Sequence, residues 1–174
     1  DYALLRSFPN TIISAPSNNQ ELTGCIKYIL NNPGPSYLRL DKSLEIDLNH
    51  KISNIKPGKW IFYKRKNKKK IILSTGSVFE KCQKVLKEKP NYDFATIPMW
   101  SMKSKKNQIK DVMKYNQILT YENHLQDGGF GSWLNESISQ KGKKINTRIN
   151  SRYIDEKVVG KVGSEKYLDT KYGP

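Results

Sequence analysis

Short β-branched runs alternate along the chain with apolar positions spaced three and four apart, the pattern of strands alternating with helices. Tyr2 to Phe8 read as the last turns of a helix stopped by Pro9 and Asn10. Thr11, Ile12, Ile13 and Ser14 form a strand, and Pro16, Ser17 and Asn18 supply the break and cap of a helix running to about residue 32. Its apolar positions Leu22, Cys25, Ile26, Ile29 and Leu30 predict one face buried against a sheet. Pro33, Gly34 and Pro35 end it, and residues 36–40 read as an interior strand.

Residues 44–57 have weak periodicity and include Asn49, His50, Asn54 and Pro57, which marks a linker. A hairpin-like pair follows at 59–63 and 70–74, with a Lys-rich tip between its arms. The pattern then continues as strand 71–74, helix 77–88 with Val78, Cys82, Val85 and Leu86 on one face, and strand 94–97. A helix at 108–114, a strand at 117–121, a glycine turn at 128–131 and a helix at 132–139 come next, then a strand at 145–149 and a helix at 164–171. The fold class is α/β: a three-layer α/β/α unit with a mostly parallel sheet over residues 58–174, preceded by the last part of a second α/β unit over 1–43, with 44–57 as linker.

Charge adds a question about partners. Lys and Arg total 31 against 16 Asp and Glu, a net charge of +15, which raises nucleic acid or an acidic membrane surface. The densest cluster, residues 64–70, lacks interleaved aromatics, so base stacking is not indicated and the cations read as a solvated surface. Nothing approaches the ~18-residue apolar run of a helical membrane span, which argues against a membrane partner. Cys25 and Cys82 sit in helical apolar patterns and read as reduced core thiols. No secretory signal is visible, so the default location is cytoplasmic.

Few residues carry candidate chemistry. Gly128-Gly129-Phe130-Gly131-Ser132 joins a strand to a helix, where the amides about Gly129, Gly131 and Ser132 could hold an anion, or where the glycines permit positive φ and close packing. Glu122 and His124 stand at the carboxyl end of a parallel strand, suited either to proton transfer or to capping amides and bonding a neighbouring carbonyl. Arg39, at the end of its strand, could grip a phosphorylated substrate or pair with Asp41 or Glu21. No metal-ligand cluster, nucleophile elbow or aspartate-rich diphosphate site is apparent, so the chain does not read as a complete enzyme.

Taken in order, these segments resemble the thiamine-diphosphate enzymes of the transketolase group. The resemblance begins at Asp1 to Asn10, continues through Ser14-Ala15-Pro16 to Glu21 and through Gly34 to Leu40, and resumes at Ile72 to Gly76, Thr120 to His124, Gly128 to Ser132 and Tyr167 to Gly173. It is similar in form to deoxyxylulose-phosphate synthases, 2-oxoacid dehydrogenase β subunits and split transketolases. It implies that 1–43 is the end of a pyrimidine-binding domain and 58–174 a transketolase C-terminal domain. It also implies transfer of a two-carbon ketol unit between sugar phosphates, with Arg39 binding substrate phosphate and His124 a candidate catalytic residue. Thiamine diphosphate and Mg2+ would belong to the complete enzyme rather than to this chain alone. The implied partners are a missing N-terminal part or separate subunit, in a homodimer or heterotetramer. Deoxyxylulose-phosphate synthesis, 2-oxoacid decarboxylation and a non-enzymatic basic module binding RNA or an anionic surface are the alternatives. The insert at 65–70 and the stretch 99–107 depart from the family pattern.

Overall fold

Asn18 begins the longest helix by accepting hydrogen bonds on its side chain from the amides of Gln20 and Glu21, while the Glu21 carboxylate accepts from Ser17 N at 2.7 Å. This reciprocal capping fixes where the helix starts. The computed structural model describes residues 1–41, 52, 54–66, 69–140 and 147–174. The sequence-derived linker and His50 therefore fall largely outside the described residues, as does part of the Lys-rich tip.

In chain order the elements are α1 (Tyr2–Leu5), β1 (Ile12–Ser14), α2 (Asn19–Asn31), β2 (Ser36–Leu38), β3 (Ile61–Lys64), β4 (Lys70–Thr75), α3 (Phe79–Glu88), β5 (Tyr92–Thr96), β6 (Met99–Trp100), α4 (Lys105–Val112), β7 (Gln117–Glu122), α5 (Phe130–Ser139), β8 (Arg148–Arg152) and α6 (Glu165–Tyr172). A 3-10 turn, Glu156–Val158, precedes α6. They form a five-stranded sheet, β3-β5-β4-β7-β8, and a three-stranded sheet, β2-β1-β6. In the larger sheet every pairing is parallel except that of edge strand β3 with β5.

Side-chain alternation along β4 divides the core and produces the layers. Ile71 and Leu73 face one way, into a cluster with Trp60, Val112, Trp133 and Leu134 that packs α4 and α5 on the sheet. Ile72 faces the other way, onto Phe79, Cys82 and Phe94, and so packs α3 on the opposite side. The three-layer α/β/α arrangement predicted from the alternating pattern is present.

Four expectations are corrected. Strand β3 does not make a hairpin with β4 but crosses to β5, pairing Ile61 with Thr96, because β4 is already flanked by parallel neighbours on both sides. Strand β2 is an edge strand, not an interior one. The final strand of the sheet is Arg148–Arg152, later than residues 145–149. The buried face of α2 is set by Glu21, which bonds Thr96 and Tyr63, and by Cys25, which packs with Ile55, Ile61 and Met99, and it leaves Ile26 and Leu30 exposed. A strand the periodicity missed, β6, pairs antiparallel with β1 and ties the N-terminal segment to the larger unit.

Candidate functional site

The carboxyl ends of β4 and β7 lie side by side, with Ser74 opposite Tyr121 and Thr75 opposite Glu122. The crossover after β4 carries α3 to one face, and that after β7 carries α5 to the other. The crevice between the two strand ends is thus a topological switch point, where sheets of this type place ligands. Asn123 closes it by donating to Ser77 Oγ at 3.2 Å.

Glu122 is fully buried at the end of β7. One carboxylate oxygen accepts from Gly131 N at 2.8 Å and the other from Phe130 N at 2.5 Å, so the side chain caps α5. Burial pushes its pKa up to about 7, against the pull of the two amides and of the Arg6 and Arg39 charges. The turn is built to admit this carboxylate. A Cβ on Gly129 would stand 2.2 Å from Glu122 Oε2, and Gly128, at φ +72°, presses against Ala3 where a Cβ would come within 2.2 Å. Arg6 locks the outside, donating to Gly129 O at 3.1 Å and Ser132 Oγ at 3.0 Å and pairing with Glu136.

These contacts give the turn considered for anion binding, Gly129, Gly131 and Ser132, partners from within the chain. The Gly131 amide is taken by the chain's own carboxylate, Gly129 N bonds Gln126 O at 3.3 Å, and Ser132 Oγ donates to Gly129 O. An external phosphate there would displace or oppose Glu122.

His124 and Arg39 come together around Tyr2. The imidazole stacks on the Tyr2 ring at 4.9 Å, and the Arg39 guanidinium lies 5.0 Å from the same ring's centroid. Asp1 joins them, with one carboxylate oxygen 3.3 Å from His124 Nε2 and the other 3.4 Å from Arg39 Nη1, while Tyr37 donates to it at 2.6 Å. His124 Nδ1 meets Leu125 O at 2.8 Å, the local carbonyl contact considered from sequence. Burial holds the His124 pKa below its ordinary value, opposed by the Leu125 contact. Burial also pushes the Tyr2 hydroxyl above its usual range. The Arg39 side chain keeps 27% of its surface exposed.

Sequence reasoning missed Tyr2 and Arg6 as parts of this site. The sequence signal for Tyr2 was its place in a turn rich in apolar residues, which marks burial but not a platform for a cation and an imidazole. A cavity of about 870 Å3 flanks the cluster, lined in part by Ser77, Lys81, Asn123, Ile154 and Asp169; Arg39 and His124 are not among its lining residues. Among the described residues, no group of three or more His, Cys, Asp or Glu side chains could hold a metal ion. With the Phe130 and Gly131 amides occupied as well, the described residues do not fit a diphosphate and its cation.

No family model matches the chain. It is 28% identical over 165 residues to the 1-deoxy-D-xylulose-5-phosphate synthase of Clostridium perfringens (strain 13 / Type A), covering 89% of this chain and 26% of that protein. The chain thus spans about a quarter of that relative's length. It is 27% identical over 179 residues to a subunit of the apulose-4-phosphate transketolase of Actinobacillus succinogenes, covering 99% of this chain and 56% of that subunit. In fold it matches a solved split gene transketolase, an inactive tetramer of beta chains, with a TM-score of 0.81 and 21% identity over 99% of this chain and 56% of that one. Sequence relatives and fold agree: the chain is similar along nearly its whole length to transketolase-type proteins and has the fold of a transketolase C-terminal part.

Proposed function

We propose that this chain is the C-terminal portion of a thiamine-diphosphate enzyme that transfers a two-carbon ketol unit between sugar phosphates. The observation that carries this reading is the similarity running along 99% of the chain to a protein named as one subunit of a transketolase. The chain supplies assembly surface to a separate N-terminal subunit or segment, which holds the cofactor responsible for the carbanion chemistry. Arg39, oriented by the Tyr2 ring and the Asp1 carboxylate, binds the substrate phosphate. His124, stacked on the same Tyr2 ring, is the candidate proton-transfer residue.

The test is steady-state kinetics of the assembled enzyme. Arg39→Ala is expected to raise KM for a phosphorylated sugar roughly 10- to 100-fold, the worth of a charged hydrogen bond. It should leave a non-phosphorylated analogue little changed, and Arg39→Lys should restore part of the loss. An unchanged KM for the phosphorylated sugar overturns the assignment. In the same assay His124→Gln shifts the pH profile if the ring moves a proton and leaves its shape unchanged if the ring only packs.

Similarity to the Clostridium perfringens synthase supports a second reading, formation of 1-deoxy-D-xylulose 5-phosphate. Substrate profiling separates the two, because one transfers a ketol group to an aldose phosphate and the other forms the deoxy sugar phosphate.

A further inference from the structure

The lysines that look scattered in the sequence are gathered by the topology onto one edge of the large sheet. Parallel register aligns the amino ends of four strands, with Lys70 opposite Tyr92 and Gln117, and Gln117 opposite Arg148. Strand β3 runs the other way, so its end brings Lys64, Arg65 and Lys66 to the same edge, where Lys69 directly precedes β4. Lys110 and Lys114, from the end of α4, arrive there too, because the chain enters β7 directly afterwards. Arg65, Lys66, Lys69, Lys70, Lys110, Lys114 and Arg148 are all exposed.

Several of these cations are oriented by aromatic rings. Arg65 lies 4.5 Å from the Phe62 centroid, Lys114 5.3 Å from that of Tyr115, and Lys70 5.7 Å from that of Tyr92. Lys64 Nζ is bonded to Pro90 O at 2.8 Å. The acids of this edge are few among the described residues. Asp93 is buried, accepting from Lys66 N at 2.9 Å and from the Tyr115 hydroxyl at 3.0 Å. Glu88 and Asp111 are exposed on the flanking helix ends. The edge crosses five strands, a row of about 19 Å at the usual strand spacing.

We propose that this edge is a binding surface for the phosphate backbone of a nucleic acid, held without sequence preference and remote from the Arg39 and His124 cluster at the opposite strand ends. A row of exposed cations tracks a line of phosphates. The rings beneath it are buried or covered by their own cations, so no bare aromatic face is offered for base stacking. The bases are therefore not read. A membrane surface fits less well, since interfacial binding adds apolar insertion to charge. The exposed large apolar residues, such as Phe8, Leu30, Leu40 and Val162, belong to other parts of the fold.

The test is fluorescence anisotropy with short labelled oligouridylate and oligoadenylate, using the protein in the form in which it is isolated. Engagement of about four phosphates gives a slope near −3 in the plot of log affinity against log salt, so a fourfold rise in salt weakens binding about 60-fold. The two oligomers should bind alike. Arg65→Gln, Lys66→Gln, Lys69→Gln and Lys110→Gln combined should weaken binding at least tenfold, with an unchanged melting temperature showing that the fold is kept. Arg39→Ala should bind as the parent does. The proposal is overturned by absence of binding at low salt, by affinity that survives the fourfold variant, or by a strong preference for one base. It is equally overturned if phosphatidylserine vesicles bind the protein at concentrations where the oligomers do not.

Discussion

Glu122→Gln gives a direct reading of how this fold holds a buried charge. The carboxyl group is fully buried, and its pKa is pushed from an ordinary 4.5 to about 7. Between those values the folded chain keeps a proton that the unfolded chain has released. Stability is therefore fully present below about 4.5 and is lost as pH rises through about 7. At about 1.4 kcal/mol per pH decade the loss is about 3 kcal/mol in total, of which about 2.5 kcal/mol falls between pH 5 and 8. Glu21, also raised by burial, adds a slope of the same sign, and His124, lowered by burial, adds one of opposite sign. Both remain in the variant, so the difference between parent and variant isolates Glu122 in urea unfolding across pH 5 to 8. The amide side chain of the variant can accept from only one of the two backbone N–H groups, which gives a constant offset rather than a slope. The expected result is a parent advantage that shrinks by about 2.5 kcal/mol as pH rises. A difference flat to within about 0.5 kcal/mol, or growing with pH, would refute the reasoning.

Gly129→Ala should cost roughly 2–4 kcal/mol, because its Cβ would stand 2.2 Å from Glu122 Oε2 and 2.6 Å from the Leu125 carbonyl oxygen. Thermal melting checks this, and an unchanged midpoint would show that the turn can open. Both thiols should resist an aromatic disulfide reagent in the folded protein and react together on unfolding. Burial is the cause, pushing Cys82 up to about 12 and Cys25 above its usual range. Labelling of either at native rates near those of a free thiol would contradict the packing described for α2 and α3.

The alternating strands and helices were legible because β4 and β7 carry short apolar runs, Ile71-Ile72-Leu73 and Ile118-Leu119, and α3 has a clear three-and-four spacing. Pairing was less legible. Nothing local in residues 59–74 says that β3 will pass over its sequence neighbour to reach β5, a choice made because both edges of β4 are taken by β5 and β7. The two-residue strand β6 is too short to show a period, and β1 alone defines it. On α2 the buried face follows a charged residue, Glu21, which hydrogen bonds to Thr96, Tyr63 and Ser17 make tolerable; a hydrophobicity pattern counts that position as exposed. At the site, residue types suggested Arg39, Glu122 and His124. Their assembly needed Tyr2, whose ring meets both Arg39 and His124 across long sequence separations. The glycine turn was ambiguous because a cap from within the chain and a cap from a ligand ask for the same residues.

Native mass spectrometry of the protein as isolated from its source tests the central claim most directly. The expected result is this sequence within a longer polypeptide, or bound to a heavier partner, in a complex that retains thiamine diphosphate. A free chain of 20.1 kDa without partner or cofactor would contradict it.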